Sequence, residues 1–125
     1  MTTPTLSAIQ TAVHIGGFEH AQPKEIVLCK GDSNYTHVHF TDGRKLTVAT
    51  TLKIIQERLA AQDFVRVNRS GLINKDHIAS YERDEITLTN GAVLHIARRR
   101  RRAVREFMQS WIGFYEGYEL RYGSY

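Results

Sequence analysis

From Ile26 onward, polar and apolar residues alternate with a period of two, the mark of strands with one face on a core. Tyr35, His37 and His39 share one face; Thr36, Val38 and Phe40 share the other, which is the more apolar. Asp42-Gly43 separates this run from Lys45-Leu46-Thr47-Val48, and Asn90-Gly91 separates Ile86-Thr87-Leu88 from Val93-Leu94-His95-Ile96. Such pairs tolerate the positive φ angles of a type I′ turn, so both predict hairpins. Shorter alternations at 64–67 and 77–81 predict further strands.

The period changes twice. Leu52, Ile55 and Leu59 recur at helical spacing behind Thr50 or Thr51, either of which can cap a short helix. Val104, Phe107, Met108 and Trp111 recur at i, i+3, i+4 and i+7, which predicts a second helix starting near Arg98. The expected architecture is mainly β, with one short internal helix and one C-terminal helix. No internal repeat or low-complexity linker interrupts it.

At 125 residues and 42% hydrophobic, the chain suits one domain with one modest core. A single cysteine, Cys29, excludes an internal disulfide and a Cys-based zinc site. Residues 1–18 carry no Lys, Arg, Asp or Glu, yet their Thr, Ser and Gln content and lack of a basic start do not fit a signal peptide or anchor. A soluble, cytoplasmic protein without membrane association is the expectation.

Charge changes the picture more by its distribution than by its net +4. Arg98, Arg99, Arg100, Arg101, Arg102 and Arg105 fall within eight residues, and no acid precedes Glu106 there. A solvated helix face is the ordinary explanation of a charge run. Here the run opens a helix, where the macrodipole disfavours each cation by roughly 0.3–1 kcal/mol. With no acid in the run to pair it, an anionic partner is expected. Guanidinium forks suit phosphate oxygens and guanine edges. On a helix Arg98, Arg102 and Arg105 share a face, with Arg101 close to it.

A second basic element runs from Arg66 to Lys75. Arg66 alternates with Val65 and Val67, and the strand then gives way to a polar turn at Asn68-Arg69-Ser70. Amide, guanidinium and hydroxyl donors in a row can clamp phosphate or probe base edges. They can equally cap their own turn. The same three residues form a glycosylation sequon, accidental in a cytoplasmic chain.

Gly31-Asp32-Ser33-Asn34-Tyr35-Thr36, Asp42-Gly43, Phe64-Val65-Arg66-Val67-Asn68-Arg69-Ser70, Ile73-Asn74, Asn90-Gly91 and Ile96-Ala97-Arg98-Arg99 together resemble the LytTR DNA-binding domain. The likeness covers residues 12–109, leaving an N-terminal arm, 1–11, and an aromatic tail, 110–125. It implies an elongated, mostly β fold whose loops, rather than a recognition helix, enter successive major grooves and bend the duplex. It also implies a bacterial transcription regulator acting on promoter direct repeats. Ahead of residue 12 there is no room for a phosphoacceptor receiver, so a stand-alone member of this response-regulator effector class is expected.

The resemblance places a first DNA contact loop on Asp32-Ser33-Asn34-Tyr35-Thr36, with Tyr35 facing the groove and Asn34 and Thr36 beside it. A second falls on Asn68, Arg69 and Ser70. A third falls on base-reading Arg98 with Arg99 on the backbone; Arg102 and Arg105 extend it, and Lys75 is a phosphate candidate. Four departures stand out: Asn68 where the family usually has histidine, Cys29 in place of a common acid, Ala97 in place of serine, and the longer arginine run. They allow a different target sequence or stronger non-specific binding.

Other chemistries find less support. His37 and His39 lack a third ligand at a spacing that completes a metal site. The acidic residues are mostly turn residues and do not cluster as a nuclease requires. Cys29 lies within a predicted strand, more suited to burial than to attack. No catalytic residue, metal or cofactor is expected, and the chain reads as a non-enzyme. Trp111, Phe114, Tyr115, Tyr118, Tyr122 and Tyr125 concentrate aromatics in the tail. They can fold over the core, support a homodimer or dock a separate sensory partner. The alternative function is a protein-interaction module using the arginines and this tail, with only non-specific DNA binding.

Overall fold

A computed structural model describes residues 12–60 and 63–112. The arm at 1–11 and residues 113–125 of the aromatic tail lie outside the described residues, as does the side chain of Trp111. In chain order the strands are β1 (Val13–Gly16), β2 (Glu19–Ala21), β3 (Ile26–Asp32), β4 (Tyr35–Phe40) and β5 (Lys45–Val48), followed by helix α1 (Leu52–Arg58). Then come β6 (Phe64–Asn68), β7 (Gly71–Asn74), β8 (Ile78–Tyr81), β9 (Glu85–Leu88), β10 (Val93–His95) and helix α2 (Arg101–Ile112). Three 3-10 turns, Pro23–Glu25, Lys75–His77 and Arg98–Arg100, link these elements. The mainly β architecture with a short internal and a C-terminal helix is as the sequence predicts.

Every strand pairing is antiparallel. A five-stranded sheet in the order β5-β4-β3-β7-β6 forms the middle layer, flanked by the β1-β2 hairpin and the three-stranded β10-β9-β8 sheet. Because successive side chains face opposite ways, the central strands feed two cores. Cys29, opposite Leu72, points with Val38 toward Ile15 and the α1 residues Leu52 and Ile55. Leu28, opposite Ile73, points with Val65 and Val67 toward Ile86, Ile96 and the α2 residues Val104 and Met108. Burying each such aliphatic side chain contributes about 1.5–3 kcal/mol.

Both helices start where the spacing places them. Thr51 caps α1, its hydroxyl accepting from the Ile54 amide at 3.4 Å. The second helix enters through a 3-10 turn at Arg98 and becomes α-helical at Arg101, with no side-chain cap at Ala97.

The turns differ from the type I′ expectation. Gly43 and Gly91 have φ of 88° and 89°, but Asp42 and Asn90 are not in the left-handed region. The amides of Gly43 and Gly91 donate to the Phe40 and Leu88 carbonyls, and Asp42 and Asn90 side chains accept from Arg44 and Ala92 amides. These are type I turns closed by a glycine bulge, a three-residue loop in place of a two-residue one.

Two strand regions escape sequence prediction. The β1-β2 hairpin is short and turns at Gly17-Phe18, so it shows no sustained alternation. β7, which the sequence pattern assigns to no element, is an interior strand with all four residues buried, and a strand covered on both faces has no alternation to detect.

Candidate nucleic-acid interface

Strand register brings the three predicted loops to one end of the middle sheet. The β3-β4 turn lies between Asp32 and its partner Tyr35. Lys30 pairs with Gly71, which sets the β6-β7 turn beside it, and the Gly31 amide donates to the Ser70 carbonyl at 2.9 Å. The third segment is tied to the same end: the Ala97 amide donates to the Val67 carbonyl at 2.9 Å, and the Asn68 side-chain amide donates to the His95 carbonyl at 2.6 Å.

The first turn has two central residues, Ser33 and Asn34. Ser33 has φ of 56°, the left-handed region that a type II′-like hairpin needs at this position. Glycine is usual there, so Ser33 carries local strain of order 1 kcal/mol. Asn34 is exposed, and Tyr35 is 52% exposed. Thr36 corrects the sequence expectation: it is fully buried and its hydroxyl donates to the Thr50 carbonyl at 2.6 Å. It anchors the β5-α1 connection under the turn.

The second turn is built by Arg66 and Asn68. The Arg66 guanidinium donates to the Asn68 carbonyl at 2.9 Å, to Gln56 Oε1 at 2.7 Å and to the Arg69 carbonyl. Burial, together with nearby Arg100, shifts the Arg66 pKa down from its ordinary value. Asn68 Oδ1 accepts from the Ser70 amide at 2.9 Å and the Ser70 hydroxyl at 3.3 Å. Asn68 thus ties the turn together and links it with β10. Arg69 and Ser70 are exposed at the tip.

In the third segment Arg98, Arg99, Arg102 and Arg105 are exposed, and Arg100 and Arg101 are half-buried. The run is less unpaired than its sequence suggests. Arg101 Nη2 meets Asp84 Oδ1 at 2.7 Å across from the β8-β9 connection, and Arg102 Nε meets Glu106 Oε1 at 3.2 Å. Neither is visible to a search for acids before Glu106: one partner is brought by the fold, the other by the helix's next turn. Among the described residues, Arg69, Arg98, Arg99 and Arg105 form no ion pair.

Lys75 also departs from expectation. It follows β7 at the opposite end of the β6-β7 hairpin from Arg69, because Phe64 pairs with Asn74 there, and its ammonium meets Asp63 at 3.0 Å. Asp32, which opens the β3-β4 turn, has its carboxylate 3.3 Å from His37 Nε2. Arg66 is the group whose role the sequence obscured: alternation correctly put it between buried valines but could not show what its head holds.

Among the described residues no group of three or more His, Cys, Asp or Glu could hold a metal ion, and no helix is long and apolar enough to cross a membrane. Residues 17–109 match the profile of the LytTr DNA-binding domain. No curated protein matches the chain. Among solved structures, the chain is similar to the LytTr DNA-binding domain of a Bacillus cereus protein described as a methyl-accepting/DNA response regulator. The TM-score is 0.64 at 18% identity, covering 78% of this chain and 94% of that one, a likeness of fold.

Proposed function

This chain belongs to the LytTr DNA-binding domain family, and on that premise we propose that it is a sequence-specific reader of double-stranded DNA at bacterial promoters. DNA binding and transcriptional regulation come with the family. The finer reading is that Tyr35 with Asn34, Arg69 with Ser70, and Arg98 with Arg99 meet the duplex from three loops in the major groove. Arg102 and Arg105 follow the phosphate backbone. The observation that carries it is the convergence of three sequence-distant turns on one sheet end, each presenting exposed donors over internally bonded neighbours.

Arg98 takes the base-reading role because a guanidinium fork matches the O6 and N7 acceptors of guanine. Arg105 is a phosphate contact. Pre-formed turns favour this assignment, since side chains held on bonded loops lose less conformational freedom on binding. Direct repeats, a homodimer on DNA, a separate sensory partner and a cytoplasmic location complete the proposal.

Selection from a random duplex library near physiological salt tests it. Recovery of one motif, especially as two copies about one helical turn apart, is the expected result. Replacing Arg98 by Ala should relax specificity at one position and weaken binding by about 1–3 kcal/mol. Replacing Arg105 should weaken all duplexes alike. Unenriched DNA would leave the protein-interaction module as the better reading.

A further inference from the structure

Among the exposed apolar side chains outside both cores, one is nearly bare. Phe18, at the tip of the β1-β2 hairpin, is 98% exposed, more than any other large hydrophobic residue described. Water disfavours a bare phenyl ring on a monomer, though single exposed apolar residues are common. What distinguishes Phe18 is how firmly its turn is held and where it is aimed.

Two contacts fix the direction of the hairpin. The Arg58 guanidinium, at the C-terminal end of α1, donates to the His14 carbonyl at 3.3 Å. Gly16, two residues on, lies against the connection that precedes α1: a Cβ there would fall 2.5 Å from Thr50 Oγ1 and 2.8 Å from Val48 Cβ. β1 thus runs back along α1 toward the loop end of the sheet. Thr50 is the residue whose carbonyl accepts from Thr36, directly behind Tyr35. The His14 ring donates through Nε2 to the Gly17 carbonyl at 2.7 Å, bracing the turn from within. Gly17 takes φ of 54°, so a tight reversal delivers Phe18 outward.

The loop end therefore carries a fourth projection beyond the three turns. Phe18 lies on the α1 face of the middle sheet, where Gly16 meets Val48 and Thr50, and the Arg98 segment lies on the opposite face. The sheet between its β5 and β6 edges is four strand spacings wide, about 19 Å. That is about five to six base pairs of duplex. Glu19, exposed beside Phe18, disfavours phosphate at the tip, so the ring is suited to a base step rather than the backbone.

We propose that Phe18 is an apolar wedge which enters the groove beside the one met by Tyr35 and partly unstacks a base step there. Side chains of this kind kink a duplex and bring more of it onto the protein. Because the turn is braced in the free protein, little ordering accompanies insertion. The inference rests on the DNA-reading function proposed above.

The test uses the full chain, the duplex recovered by selection, and energy transfer between dyes at the two duplex ends. Phe18→Ala should melt at the wild-type temperature, bind about tenfold more weakly and leave the duplex straighter by about 20° or more. Its salt dependence should equal wild type, because no phosphate contact is removed. Phe18→Leu should retain most of the bend. Wild-type affinity and bend in Phe18→Ala would overturn the wedge, as would a loss of affinity accompanied by a shallower salt slope. Absence of any duplex preference in the wild-type protein would refute the underlying function first, and the wedge with it.

Discussion

Arg66 separates holding a contact loop from making the contact. Its head bonds two carbonyls of the β6-β7 turn and the Gln56 side chain, while its neighbour Arg69 has none of these roles. Replacement by Met keeps the aliphatic stem between Val65 and Val67 and removes three charge-assisted bonds. Each is worth about 1.5–3 kcal/mol when sheltered. Partial exposure of Arg66 lowers the sum, and we expect a total near 2 kcal/mol. For a domain of this size that corresponds to roughly 10 °C in melting temperature. Binding should weaken by about three- to tenfold, because the turn must be ordered as DNA arrives. The slope of log K against log salt should not change. Arg69→Ala should do the reverse, leaving the melting temperature intact and reducing the slope by about 0.9 if Arg69 meets a phosphate. Thermal melting and a salt titration of binding, run on both variants, provide the check. An Arg66→Met protein of wild-type stability with a shallower slope would refute the reasoning, since Arg66 would then touch DNA.

Three further expectations follow from local environments. Burial pushes the Cys29 thiol up from 9.0 to about 12, so at pH 8 it should hold roughly a thousandfold less thiolate than an ordinary cysteine. Alkylation should proceed at the unfolding rate, and fast labelling of native protein would contradict the buried assignment. The raised value also means that its contribution to stability is full below pH 9.0 and fades as pH rises toward about 12. Burial, then Lys45, Lys30 and His37, hold His39 below its ordinary 6.5, so the unfolded chain takes up that proton first. Stability should fall as pH drops through the ordinary histidine range, and His39→Gln should flatten that acid limb in urea melts at pH 7.5 and 5. Equal slopes for the two proteins would count against it. Asn68→Ala removes the bond to the His95 carbonyl and the acceptor of the Ser70 amide, and should lower stability by about 1–3 kcal/mol in chemical denaturation. A loss well below 1 kcal/mol would show that these bonds do not hold the turn.

Much of the site is legible in the sequence, but its residues divide in ways that sequence cannot show. Tyr35, Arg69, Arg98 and Arg99 are exposed at the loop end, as their polar or basic turn settings suggest. Thr36, Asn68 and Lys75 have the same chemistry in the sequence, yet in the fold they serve as an anchor, a brace and a partner of Asp63. A hydroxyl, amide or ammonium can satisfy a backbone carbonyl or a carboxylate as readily as a phosphate. Which one it meets depends on what the folded chain places within about 3 Å of it.

By itself the sequence determines what each segment can be. Alternation makes 34–40 and 45–48 strands, because one face must leave water. Leu52, Ile55 and Leu59 make a helix for the same reason at a different period. Xaa-Gly pairs end the strands, since glycine alone enters the left-handed region without strain. Tertiary structure decides which segments meet. It turns 71–74 into a central strand, because burial on both faces erases the alternation that would have announced it. It brings Asp84 to Arg101, and it seats Gly16 of the first hairpin against Val48 and Thr50. Those are contacts between residues far apart in the chain. Their free energy depends on burial and register across layers, which no local pattern contains.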